Sequence, residues 1–263
     1  MGERLFDLTG RVAVVSGSAS GMGKAASLAL AAHGADLLLL DVNGEGLQKT
    51  TREIEAMGRR GVPVTCDVSR PDEIRVAFGT LDREFGRIDF LANIAGEALL
   101  ASPEAISQEQ IQQVFQNLVF GRFQMCQEAG RRMLKAGIGS IVNIGSIASV
   151  TALGRGHIAY SMAMGAVAQM TRELSTEWAS RGVRVNAILP AQVMNPSLAT
   201  RIAADPGLES RWIAAIPRSR MGSPADIQGL IVLLASDASS WVTGTLIPMD
   251  GGNLAVNAGG TIG

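Results

Sequence analysis

Short apolar runs alternate along this chain with stretches of helical period. Residues 11–16 (RVAVVS) are apolar and rich in valine, glycines follow at once, and residues 24–34 are rich in alanine and leucine. Branched valines suit a pleated strand, and alanine and leucine lose little on entering a helix, so the order predicts strand, tight loop, helix. The unit repeats: residues 37–41 (LLLLD) are apolar at consecutive positions, which requires cover on both faces, and residues 44–58 read as the next helix. Further strands are predicted over 62–67, 88–93, 138–146, 183–189 and 245–249, and helices over 71–86, 107–136, 158–180 and 224–235. Strand alternating with helix predicts an α/β fold with a doubly wound, mainly parallel sheet, since right-handed crossovers leave each connecting helix on a face. No linker, charge block or repeat divides residues 1–263, so one domain is expected. The irregular segment 191–217, holding Pro196, Pro206 and Pro217, lies just past a strand's carboxyl end, where doubly wound sheets bind ligands. It reads as a substrate lid, the alternative being a surface loop without function.

Composition narrows the partners. Twenty-three basic against twenty-four acidic residues leave a net charge of −1, so no overall basic field could hold a nucleic-acid backbone or an anionic membrane surface. Two cysteines, Cys66 and Cys126, form no CxxC and match neither a disulfide framework nor a metal spacing, which points to a reducing compartment. No cluster of His, Cys, Asp and Glu has metal-ligand spacing. The longest uncharged stretch, 136–154, is about as long as a membrane span but is interrupted by glycines, serines and Asn143. The opening Met-Gly-Glu-Arg runs into no apolar leader, and the cytoplasm is the expected location.

The 31 glycines cluster at a few turns. The first turn reads Ser16-Gly17-Ser18-Ala19-Ser20-Gly21-Met22-Gly23, a G-x-x-x-G-x-G that follows a strand and opens a helix. Gly17 can take the tight turn, Gly21 lets backbone approach a pyrophosphate, Gly23 lets helix and strand pack closely, and the helix N-terminus offers free N–H donors. Asp41 ends the second strand eighteen residues after Gly23. A carboxylate there accepts hydrogen bonds from the adenosine ribose hydroxyls and repels a 2′-phosphate; the alternative is a turn or N-cap residue ahead of Gly44. The combination predicts a Rossmann-type dinucleotide site that takes NAD.

These segments and others downstream resemble the short-chain dehydrogenase/reductase family over essentially the whole chain. The family's glycine loop matches Gly17, Gly21 and Gly23, its Asp-Val pair after strand three matches Asp67 and Val68, and its fourth-strand N-N-A-G resembles Asn93-Ile94-Ala95-Gly96. Its helix asparagine matches Asn117, its strand-five serine Ser146, and its tyrosine Tyr160, the one tyrosine in the sequence. Residues 220–226 and 243–252 resemble its closing segments. The resemblance implies an NAD-dependent oxidoreductase that moves a hydride between NAD(H) and a secondary alcohol or ketone of a small-molecule substrate. Tyr160 would be the acid/base, Ser146 would orient the carbonyl oxygen, and Asn117 would anchor a water-based proton path. Gly17, Ser20, Gly21, Met22, Gly23, Asp41, Asp67, Val68, Asn93, Ala95, Gly96, Tyr160, Pro190 and Val193 would hold the cofactor. It also implies a homotetramer, with the apolar faces of 107–136 and 158–180 and with Met162, Met164 and Met170 between subunits.

Two places depart from the family pattern. Its Y-x-x-x-K reads Tyr160-Ser161-Met162-Ala163-Met164 here, so the ammonium that would hold the nicotinamide ribose and favour the phenolate is missing. After strand six its P-G-x-V-x-T reads Pro190-Ala191-Gln192-Val193-Met194-Asn195, where Asn195 can still offer an amide hydrogen bond. The spacing from Ser146 to Tyr160 is also one residue longer than the commonest pattern, which makes Ser149 a fallback for the serine role. His157 and Arg155 are candidates for a replacement charge, but read more simply as a helix-start histidine and a loop arginine in solvent. Beside the dehydrogenase stand two alternatives, a dinucleotide-binding protein without catalysis and a non-redox NAD-using lyase or epimerase.

Overall fold

In the computed structural model, which describes residues 5–97 and 99–256, the apolar runs become seven parallel strands. They are β1 (Val12–Ser16), β2 (Asp36–Asp41), β3 (Gly61–Thr65), β4 (Phe90–Asn93), β5 (Gly139–Ile144), β6 (Val183–Pro190) and β7 (Leu246–Met249). Their order is β3-β2-β1-β4-β5-β6-β7, so the crossovers diverge between β1 and β4 and leave a crevice at the strands' carboxyl ends. The reading of Met1 to Arg4 as no apolar leader lies outside the described residues.

Nine helices accompany the sheet among the described residues: α1 (Gly21–Ala32), α2 (Gly44–Ala56), α3 (Pro71–Glu84), α4 (Gln108–Phe115), α5 (Gly121–Ala136), α6 (Ile158–Trp178), α7 (Pro196–Ala204), α8 (Leu208–Ile213) and α9 (Gln228–Ala235). Successive side chains of a strand point to opposite faces, and the LLLL run shows the consequence. Leu37 and Leu39 join Leu30 of α1 and Ile231 of α9, whereas Leu38 and Leu40 join Phe78 of α3 and Met125 of α5. All four leucines are fully buried, and each contributes roughly 1.5–3 kcal/mol of transfer free energy. Pro63 fits within β3 because that strand is the edge of the sheet, where a missing N–H interrupts no ladder on the outer side.

Three expectations change. The single helix over 107–136 is interrupted by one wide π turn, Gln116–Phe120, where the Gly121 N–H donates to the Gln116 carbonyl. Gly121 presses on the neighbouring loop there, since a Cβ on it would stand 2.0 Å from the Val68 oxygen. Next, β5 stops at Ile144, so Gly145 and Ser146 leave the sheet and Ser146 caps a short turn over Ile147–Ser149. Finally, segment 191–217 is not irregular throughout. Asn195 caps α7 through a bond from the Leu198 N–H, Pro196 takes the first helical turn where its missing N–H is harmless, and α7 and α8 share a small apolar cluster of Leu198, Trp212 and Met221. No described helix is long and apolar enough to cross a membrane.

Candidate active site

The glycine loop is held by contacts a side chain would abolish. Gly17 has φ +76°, and a Cβ on Gly23 would stand 2.0 Å from the Gly17 oxygen. The Ser16 hydroxyl accepts from the Ile94 N–H at 3.0 Å and the Ala95 N–H at 3.2 Å, tying the end of β1 to the end of β4. Ser20 precedes α1 without a side-chain cap, so the first-turn N–H groups stay free, and the positive end of the helix favours an anion there. Gly21, at φ +53°, has nothing within 4 Å of a would-be Cβ, which leaves that backbone approachable. Asp41 accepts from the Ala19 N–H at 3.0 Å and from the Asn43 N–H at 2.9 Å, while Asn43 is the residue that caps α2. The carboxylate thus braces the glycine loop from the end of β2. Asp67 accepts from the Ser69 N–H at 2.8 Å, and Val68 beside it is buried. A glycine cradle, free helix-start amides and an acid on the next strand fit a dinucleotide.

Asn93 is different. Its side chain is 1% exposed and its amide donates to Asn143 Oδ1 at 3.0 Å, and Asn143 in turn donates to Thr171 at 3.1 Å. It braces the ends of β4 and β5 from inside, while its neighbours Ile94 and Gly96 line the crevice.

A cavity of about 610 Å³ runs from Ser20 and Met22, past Gly96, Ser146 and Tyr160, to Asn195 and Trp212 at the segment after β6. Pro190 and Val193 are also in its wall. The Ser146 hydroxyl accepts from the Ala148 N–H at 3.1 Å, and Ser149 accepts from the Ser146 N–H at 3.3 Å. Ser146 lines the cavity, and Ser149 supports it from beneath. Tyr160 projects from the first turn of α6. Asn117 sits on the π turn, where its Oδ1 is buried without a partner and would lie 3.4 Å from a Cβ on Gly96. Asn195 spends both ends locally, accepting from Leu198 and donating to the Val193 carbonyl at 3.1 Å. Met164 is 1% exposed among Leu118, Ala163 and Val167, so it packs inside the chain rather than between subunits.

His157 does not stand in solvent. It is buried, its ring lies edge-on 6.2 Å from that of Tyr160, and Nδ1 is 2.8 Å from the Gly154 carbonyl. Burial, aided by the charges of Arg155 and Arg201, holds its pKa below the ordinary value, so it is neutral at neutral pH and brings no replacement cation.

The buried cation in the wall is Arg122, which motif reading passes over. It is 4% exposed, donates to the Ala95 carbonyl at 3.1 Å and to the Ile144 carbonyl, and leaves Nε without a partner. Burial pushes its pKa down to about 10, and the nearby Tyr160 oxygen opposes that fall. Its place four residues after Leu118 and four before Cys126, both buried, was the available sequence signal. Both cysteines are buried free thiols, with burial raising each to about 12. Among the described residues no His, Cys, Asp and Glu group could hold a metal ion.

A family model described as enoyl-(acyl carrier protein) reductase matches residues 17–253. The chain is 38% identical over 249 residues to D-threitol dehydrogenase of Mycolicibacterium smegmatis, covering 94% of each chain. It is 34% identical over 250 residues to an NAD-dependent glycerol dehydrogenase of Listeria innocua, covering 95% of this chain and 96% of the relative. The crystal structure of a gluconate 5-dehydrogenase from Burkholderia cenocepacia in complex with NADP and tartrate superposes with a TM-score of 0.89 at 28% identity, covering 95% of this chain and 98% of that one.

Proposed function

The chain belongs to the short-chain dehydrogenase/reductase family of oxidoreductases, and from that premise we propose that it interconverts a secondary alcohol and its ketone on a small polar molecule, with NAD as its dinucleotide. One observation carries the reading: a single cavity has the glycine cradle at one end and Ser146 with Tyr160 further along its wall. When bound, the dinucleotide supplies the hydride acceptor or donor. The free amides from Ser20 to Gly23 and the backbone at Gly17 receive its pyrophosphate, Asp41 its adenosine ribose, and Asp67 with Val68 the edge of its adenine. Ala95, Gly96, Pro190 and Val193 flank the nicotinamide half, and Asn93 stiffens the strand end beneath it.

In this reading Ser146 donates to the substrate oxygen and Tyr160 takes the hydroxyl proton in oxidation or returns it in reduction. The Asn117 Oδ1 is a vacant acceptor for a water that passes that proton on. Met164 stands where the family lysine is expected, and we assign the cation in that wall to Arg122, the buried guanidinium whose charged form is favoured by Tyr160. The segment 191–217 acts as the lid. Exposed Phe120, Phe123 and Met162 on the α5 and α6 side support the homotetramer, and two reduced thiols support a cytoplasmic location.

A second reading, dinucleotide binding without turnover, is favoured by Met164. Calorimetric titration with NAD, beside NADH formation across a panel of polyols and hydroxy acids, separates the two. Binding with turnover is expected. Binding without turnover supports the second reading, and absence of binding overturns both.

A further inference from the structure

Two guanidinium groups converge on one indole at the lid end of the cavity. Arg155, on the turn before α6, has its guanidinium 5.7 Å from the centre of the Trp212 ring, and that of Arg201, on α7, stands 5.4 Å from it. Trp212, on α8, is 6% exposed and its Nε1 is buried without a partner. Among the described residues neither arginine has an ion pair, whereas nine other arginines do. Arg155 donates only to the Leu153 carbonyl, at 3.4 Å, and holds φ 55°, a left-handed backbone that a residue with a side chain keeps only when its surroundings demand it. The one carboxylate in the cavity wall is Glu97, which is exposed. Of the other titratable groups in the wall, Tyr160 and His157, the latter is neutral, and Arg122 adds a third positive charge in the same wall.

Like charges gathered about one ring without a counter-ion repel, and the arrangement becomes favourable when an anion enters. A guanidinium stacked on an indole keeps its in-plane N–H fork free, and that fork matches a planar carboxylate. We propose that Arg155 and Arg201, supported by Trp212, form an anion clamp for a substrate carboxylate, so that the substrate is a hydroxy acid or sugar acid and not a neutral polyol. The inference rests on the dehydrogenase reading and deepens it. The same clamp chemistry would accept a cofactor phosphate, so the test has to separate the two sources.

The test compares wild type, Arg155→Gln, Arg201→Gln and the double variant on matched pairs with one carbon skeleton: D-gluconate and D-glucitol, threonate and threitol, glycerate and glycerol, each with NAD. Wild type is expected to favour an acid over its polyol. Each single variant should lose about 10- to 100-fold in kcat/KM on that acid, the ordinary range for a charge-assisted pair, with the polyol within about twofold and the melting temperature retained. Equal losses on acid and polyol, or a wild type that favours the polyol, would overturn the clamp. So would a weakened NAD affinity in the variants with acid selectivity intact, which assigns the arginines to a cofactor phosphate. Should wild type turn over none of the six, calorimetric binding of the three acids in the presence of NADH decides. Binding that the double variant loses upholds the clamp and fails the dehydrogenase reading, and no binding of any acid overturns the clamp.

Discussion

The two ends of the cavity are built on opposite principles. At the nucleotide end four polar side chains are already satisfied by the protein, Ser16 by Ile94 and Ala95, Ser27 by Ser18 and Gly23, Thr50 by the Ser18 carbonyl and Asp41 by Ala19 and Asn43, and one atom, Asn93 Oδ1, is buried without a partner. At the substrate end Asn117 Oδ1, Arg122 Nε, Gln192 Oε1 and Trp212 Nε1 are buried with no partner. A buried group left unsatisfied costs about 1–3 kcal/mol, so a cluster of them is tolerated where an incoming molecule completes the bonds. The contrast teaches that the first end is a finished cradle for a constant ligand. The second end is left incomplete by its own residues.

The largest expected effect breaks the substrate end. Arg122→Gln leaves a shorter amide that can still donate hydrogen bonds but removes the charge. If that charge assists Tyr160, turnover at neutral pH falls by about 10²-fold, within the usual range for acid–base assistance, and the acid limb of the kcat/KM profile moves to higher pH. Adding Met164→Lys in the Arg122→Gln background should recover part of the rate, because an ammonium on α6 restores a cation beside the same hydroxyl. A loss of rate with an unmoved pH profile and no recovery would reduce Arg122 to a packing role.

A smaller effect sharpens the nucleotide end. Asp41→Asn keeps the shape of the side chain and one of its two acceptor oxygens while removing the negative charge. NADP affinity should rise relative to NAD by one to two decades, or ~1.4–3 kcal/mol, measured by fluorescence titration of both reduced cofactors. Equal dissociation constants for the two cofactors in the wild type would show that Asp41 only braces the loop.

The smallest effect lies between the two ends, at His157. Its pKa is lowered from 6.5 chiefly by burial, so the unfolded state binds the proton first as pH falls. Stability is therefore full above about pH 6.5 and declines as pH drops through the window between the unfolded and the lower folded value, flattening below it. His157→Gln should flatten the slope of melting temperature against pH in that window by a fraction of a unit of bound proton. An unchanged slope would mean that the ring titrates alike in the native and unfolded states.

Local features of the chain were legible in advance because their causes are local. Alternating apolar runs fixed strand and helix, the LLLL run required a sheet covered on both faces, and the glycines at 17, 21 and 23 sit where a positive φ or a close backbone approach excludes a side chain. Ser146 and Tyr160, which the resemblance to the family pairs, both line one cavity, where the crossover between β5 and α6 brings them. Other features depend on partners far away in sequence. The π turn that carries Asn117 forms where Gly121 meets the Val68 carbonyl, over fifty residues earlier, and no pattern within 107–136 announces that contact. His157 looks like a solvent residue at a helix start until the loop at Ala101 bridges to it and the Tyr160 ring packs beside it. The burial of Arg122, the enclosure of Met164, and the meeting of Arg155, Arg201 and Trp212 were likewise decided by packing alone: charge and burial are properties of a position in space, and periodicity along the chain carries no record of which distant elements will close over it.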